Sequence, residues 1–200
     1  DRDLHAEWKH IERLDNVLGA TDAVAVAVGS GTINDLSKLS SHHCGKRYMN
    51  VSTAASMDGY TAYGASITKD GAKQTFSCPA PLAVLADISI IAQAPSEMTA
   101  SGYADLFAKI PAGADWIISD ALGVEPIDDF AWELVQGSLK SALANPSLIK
   151  AGDKKAIHRL IEGLIMSGFA MQAHQSSRPA SGADHQFSHL WNMEHHTMAD

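Results

Sequence analysis

The sequence predicts an α/β fold, a parallel sheet with its helices, followed by an all-α region. Three observations predict it. Helix-period and strand-type segments alternate up to about residue 92. The first strand-type run, Ala23 to Val28, carries no charge along its whole length. From about Pro95 onward only helix-period segments follow. The expected organisation is therefore two units, 1–92 and 93–200. A chain of 200 residues has room for one large or two small domains at roughly 100–200 residues each.

Composition narrows the class. Hydrophobic residues make up 46% and charged residues 19%, enough apolar surface for a real core. A net charge of −8 argues against a general nucleic-acid surface or a surface for anionic membranes. No uncharged apolar run nears the roughly 18 residues of a membrane span, and the first residues read as a charged helix rather than a leader. Cys44 and Cys78 are far apart and lack CxxC spacing, which suits reduced thiols and a cytoplasmic setting. The ten histidines are the unusual feature, because six fall between His158 and His196.

Taken in order, Leu4, Trp8, Ile11, Leu14 or Asp15, and Leu18 recur at helical spacing, and Gly19 stops them. The run AVAVAV reads as a strand buried on both faces. After Gly29-Ser30-Gly31 a helix is predicted from Thr32 to Leu39. Arg47 to Val51 and Leu82 to Ile88 are further strands. Ile127, Phe130, Ala131, Leu134, Val135, Leu139 and Ala142 share one helix face, and Ile157 to Gly168 form another with Asp153 as N-cap. A loop, Ser176 to Gly182, leads into a last helix.

Four segments carry chemistry. Gly29 and Gly31 at a strand end, with a helix N-terminus behind, suit a phosphate because backbone N–H groups can approach it closely. The pattern is not GxGxxG, since Asn34 stands at the third glycine, and no GK[ST] follows. A plain strand-to-helix turn explains it equally. Ser52 to Gly59 offers hydroxyls and Asp58, either for a ligand or for a turn. Asp105 lies within a predicted helix among Tyr103, Leu106 and Phe107, as a metal ligand or a surface carboxylate. His185 and His189 stand at i, i+4, which places both imidazoles on one helix face and can present metal ligands. Gln186 occupies the glutamate place of HExxH, so a zinc-protease mechanism lacks its base. His195 and His196 point about 100° apart on a helix and read as bystanders.

In this order, GSGTINDLSK, STAASMDGYTAYGASIT, ASGYADLFAK and SGFAMQAHQSSRPASGADHQFSHLWNMEHH resemble the sn-glycerol-1-phosphate dehydrogenase family. The likeness is to its bacterial arabinose-operon-type branch, within the iron-containing alcohol dehydrogenase and dehydroquinate synthase superfamily. It runs from about Ala23 to the C-terminus, and the SSRPASGADH run followed by SH is its most specific part. The resemblance implies a partial Rossmann-like nucleotide-binding domain followed by a helical metal-binding domain. It implies NAD(H) or NADP(H), one divalent metal (zinc or nickel), and interconversion of dihydroxyacetone phosphate and sn-glycerol 1-phosphate by a homodimer.

By the same resemblance, Gly29, Ser30, Gly31, Thr32, Ile33, Asn34 and Asp35 line the cofactor's phosphates, and Thr53, Ala54, Ala55 and Ser56 contact the dinucleotide. Asp58 contacts substrate, Asp105 and His185 bind the metal, and His189 touches substrate and relays a proton. A family position often held by serine is Ala62; either the neighbouring Thr61 supplies the hydroxyl or that contact is lost. Arg178 is a candidate for the substrate phosphate or a brace for its loop. The resemblance also implies further strands before residue 1 and a third metal ligand beyond residue 200. The competing readings are a lyase of the dehydroquinate synthase type, a glycerol dehydrogenase, and a non-catalytic module.

Overall fold

The computed structural model describes residues 4–194. In chain order the elements are α1 (Trp8–Gly19), β1 (Ala25–Gly29), α2 (Gly31–His43), β2 (Tyr48–Ser52), β3 (Ala65–Lys69), β4 (Ala72–Phe76) and β5 (Ala83–Ala86). They are followed by α3 (Ile88–Ile91), α4 (Ser96–Phe107), α5 (Lys109–Ala121), α6 (Asp129–Ala142), α7 (Pro146–Lys150), α8 (Lys154–His174) and α9 (Ala183–Met193). Among the described residues no helix is long and apolar enough to cross a membrane.

The parallel sheet is present, in the order β1-β2-β5. Ala25 pairs with Tyr48 and Met49 pairs with Ala83, so all three strands point the same way. The first strand departs from expectation. Ala27 is buried, but Val24, Val26 and Val28 are 56%, 54% and 61% exposed. Side chains alternate across a strand, and only the alanine face has a helix, α2, packed against it. Among the described residues β1 is thus covered on one face.

A second sheet went unpredicted. β3 and β4 form an antiparallel hairpin through Asp70-Gly71, both with positive φ (53° and 77°). An Asp-Gly pair is the residue choice such a two-residue turn favours, so the signal was there. Apolar alternation was too weak to announce the strands: Gln74 and Lys73 stand opposite Ile67 and Thr68. The hairpin matters because it walls the cleft described below.

The helical half is built on α8. Ile157, Leu160, Ile161 and Leu164 are buried along it, facing Ala131, Val135, Leu139 and Ala142 of α6. Each such fully buried aliphatic side chain contributes about 1.5–3 kcal/mol. Phe130 is the exception to the predicted α6 face, at 66% exposed, because Asp128 caps the helix by accepting from the Ala131 N–H at 2.9 Å and leaves Phe130 in the first, outward turn. Asp153 caps α8 as expected, accepting from the Ala156 N–H at 2.9 Å.

What joins α2 to the segment after β2 is a lysine with no solvent exposure, Lys38. Its ammonium donates to the carbonyls of Gly59, Ala62 and Gly64 at 2.9, 2.9 and 3.0 Å, and lies 3.9 Å from Asp35 Oδ1. Burial pushes its pKa down, opposed by the Asp35 charge. The buried Ala62 and Gly64 carbonyls depend on this one group, and the Gly59 carbonyl shares it with Asn34 Nδ2. Lys38→Met in the complete protein should therefore lower unfolding stability by about 3 kcal/mol, read from urea denaturation, and Lys38→Arg should recover part of it.

Candidate active site

At the carboxyl end of β1, where ligands of open α/β sheets sit, lies a cleft of about 770 Å³. One wall is the start of α2, with Gly31, Thr32 and Asp35; a second is the 57–59 loop; a third is the hairpin face carrying Ser66, Thr68, Lys73 and Thr75. Asp105 of α4 and His185 and His189 of α9 complete it. Residues 127 positions apart in sequence, Asp58 and His185 among them, are thus brought to one place.

Neither Gly29 nor Gly31 has a positive φ, so the turn does not need glycine for its backbone. The room it leaves is bordered by the chain's own side chains: a Cβ on Gly29 would lie 2.8 Å from Ile33 Cβ, and one on Gly31 3.1 Å from the Met57 terminal methyl. Asn34 is committed internally, donating to Asp35 Oδ1 and the Gly59 carbonyl and accepting from the Tyr48 hydroxyl. Asp35 accepts from the Ser66 N–H at 3.1 Å, tying α2 to the hairpin, and burial pushes its carboxyl up.

The segment after β2 sits deeper than its hydroxyls suggest. Ala54 and Ala55 are buried, and Thr53 and Ser56 are half-buried. Two helix glycines admit this segment. A Cβ on Gly102 would be 2.0 Å from the Ala55 carbonyl oxygen, and one on Gly168 would be 2.2 Å from Thr61 Oγ1 and 2.5 Å from the Asp58 carbonyl oxygen. Thr61 does not replace a hydroxyl at Ala62: it is buried and donates to the Ile165 carbonyl at 2.7 Å.

Asp105 is no surface carboxylate. Its Oδ2 accepts from the Asp58 N–H at 2.8 Å, and its Oδ1 accepts from Lys109 at 2.7 Å. The same ammonium lies 2.8 Å from Asp58 Oδ2, which also accepts from the Ser167 hydroxyl at 2.8 Å. Burial opposes the charge on Asp105, but His185 and Lys109 outweigh it and hold its pKa down to about 2. Burial and the neighbouring Asp105 charge push Asp58 up, against the pull of Lys109. Burial works against the Lys109 cation too, yet the two carboxylates raise its pKa overall.

His185 Nε2 stands 3.7 Å from Asp105 Oδ1. Its Nδ1 is 3.1 Å from Asp184 Oδ2, near in distance though out of hydrogen-bond alignment. The Asp105 carboxylate beside it raises the His185 pKa, against burial. His189 goes the other way, lowered by burial and by the positive charge of Lys73. A carboxylate and an imidazole facing one another, with a second carboxylate behind the imidazole, are the donor types of a zinc or nickel site. Among the described residues no third histidine, cysteine or carboxylate completes the set. His195 and His196 lie outside the described residues.

α9 is placed by its neighbour α5. Asp115 Oδ2 accepts from the Ala183 N–H at 2.8 Å, capping α9 from another helix, and Gly182 leaves room for it. Arg178 is not in the cleft. Its Nε is 2.8 Å from Glu125 Oε2, bracing the loop after α8 against the α5–α6 connection. Sequence reasoning passed over Lys109, Ser167, Asp115 and Lys73. Only Lys109 had a local signal, four residues after Asp105.

With this geometry in view, residues 2–95 match the family of iron-containing alcohol dehydrogenases. The chain is 41% identical over 180 residues to a glycerol-1-phosphate dehydrogenase of Halalkalibacterium halodurans, a match covering 88% of this chain and 45% of that protein. It is 39% identical to the enzyme of that name from Pyrococcus furiosus, covering 84% of this chain and 49% of that protein. The chain thus spans about half the length of these curated relatives. The crystal structure of glycerol dehydrogenase from Schizosaccharomyces pombe shares its fold, with a TM-score of 0.73 and 19% identity over 97% of this chain and 51% of that one.

The glycine contacts make a sharp contrast measurable by thermal denaturation. Gly102→Ala should cost about 3 kcal/mol, because a backbone carbonyl blocks the new methyl. Gly19→Ala, where a Cβ meets nothing within 4 Å, should leave stability unchanged or raise it by up to about 1 kcal/mol.

Proposed function

We propose that this chain supplies much of the active cleft of a metal-dependent, NAD(P)-linked oxidoreductase that interconverts dihydroxyacetone phosphate and sn-glycerol 1-phosphate. The observation that carries the reading is the meeting of Asp58, Asp105, His185 and His189 in one cleft beside the glycine turn. The names of the 41% and 39% identical relatives support the same substrate class.

In this reading the N-terminal turn of α2, with Gly29, Ser30, Gly31 and Thr32, receives the cofactor's phosphates on backbone N–H groups. Ile33, Asn34 and Asp35 hold that turn's shape, and Thr53, Ala54, Ala55 and Ser56 form the floor beside it. Asp105 and His185 hold a zinc or nickel ion. When bound, that ion supplies Lewis-acid stabilisation of the negative charge that hydride transfer puts on the substrate oxygen. Asp58 orients the substrate through a hydroxyl. His189, kept neutral at pH 7 by its lowered pKa, accepts the alcohol proton in the oxidative direction and returns it in the reductive one. The reading carries with it a cytoplasmic homodimer, as the sequence resemblance implies.

The test is NADH or NADPH oxidation by the complete, zinc- or nickel-loaded protein with dihydroxyacetone phosphate. Turnover is expected, with Asp105→Asn and His185→Ala each lowering kcat/KM by about 100-fold or more, and His189→Ala lowering kcat by about 100-fold. Phosphate release without net NADH change would point to the lyase chemistry instead. Turnover of unphosphorylated glycerol in preference would point to a glycerol dehydrogenase.

A further inference from the structure

Two aspartates of the cleft have different tasks in the proposed reaction, yet they are chemically alike and nearly touching. Asp58 donates its own backbone N–H to Asp105 Oδ2 at 2.8 Å, which ties the Asp58 backbone to the Asp105 carboxylate. Convergent carboxylates are what hard divalent cations seek. Something must keep the metal from settling between them. The group found there is the ammonium of Lys109, 2.8 Å from Asp58 Oδ2 and 2.7 Å from Asp105 Oδ1, on a side chain with no solvent exposure.

We propose that Lys109 is a positioning residue that occupies, as a resident cation, the place between Asp58 and Asp105, and so confines the divalent ion to the Asp105–His185 side. The proposal rests on the metal role given to that pair above. Lys109 is suited to it by its place in the chain. It is the first residue of α5, separated from the end of α4 by Ala108 alone, and four after Asp105. Its carbonyl accepts from Gln136 Nε2 at 3.0 Å, so α6 holds the start of α5 in place. The ammonium neutralises charge that two buried carboxylates would otherwise share. It approaches Asp105 through Oδ1, the same oxygen that faces His185 Nε2 at 3.7 Å, leaving that oxygen's other side to a metal. On Asp58 both Lys109 and Ser167 address Oδ2, which leaves Oδ1 to substrate. One lysine thereby makes a ligand of one aspartate and a substrate contact of the other.

The experiment is zinc titration of the metal-stripped complete protein by calorimetry. His185→Ala should lose the ion. Lys109→Met combined with His185→Ala should regain one, now held by the two aspartates, and adding Asp58→Asn should abolish it again. Lys109→Arg with His185→Ala should not regain it, because the cation is kept. If His185→Ala alone binds zinc as well as the parent, the metal reading itself fails. If His185→Ala loses zinc and the folded Lys109→Met double variant does not recover it, the lysine has no such role. Should Lys109→Met melt below the working temperature, added zinc must raise its melting temperature, and Asp58→Asn must remove that rise. No rise overturns the proposal.

Discussion

The buried cation Lys109 meets two half-buried carboxylates, Asp58 and Asp105, where the segment after β2 crosses the α4–α5 junction, and the candidate site depends on their balance. Two enclosed carboxylates repel one another and resist ionisation; a lysine between them offsets that repulsion, although burial and Asp105 still push Asp58 up. The result is visible in the directions of their titration: Asp105 is held down to about 2, while Lys109 is held cationic in spite of its burial. Asp105 therefore stands as an anion at the edge of the cleft, ready for a cation, before any ligand arrives.

The remainder of the fold brings segments to that point. Lys38 fastens the loop bearing Gly59 to α2, and α2 begins at the glycine turn. Glycines in α4 and α8 let the same loop press against both helices. Asp115 caps α9 from α5, the helix that Lys109 opens. The glycine turn, Asp58, the Asp105 and His185 side chains and the last helix are thus linked by polar contacts. Apolar packing of α6 on α8 provides the platform. The hairpin closes the cleft from the opposite side and supplies its own cation, Lys73.

Hydrophobic periodicity made α1, α2, α6 and α8 legible, with ends within a few residues, because a helix buried on one face must repeat its apolar residues at 3.6. The parallel strands were legible as short apolar runs. Burial was not. The valines of β1 look like core and are exposed, while Lys38 and Lys109 look like surface and are fully enclosed. A side chain's burial depends on what the rest of the chain places over it. The β3–β4 hairpin shows a different failure, since Asp70-Gly71 announced a turn whose strands lacked the apolar alternation that would have confirmed it.

The sequence by itself determined the order of helices and strands, the glycine turn, and the identity of Asp58, Asp105, His185 and His189 as the residues to watch. Those are properties of local pattern and of motif. Only the tertiary structure decided that the four share one cleft, that Thr61 and Arg178 face elsewhere, and that a lysine stands between the two aspartates. The physical reason is that charge compensation and close backbone approach act across space. Asp58 and Lys109 are 51 residues apart in the chain and 2.8 Å apart in the fold.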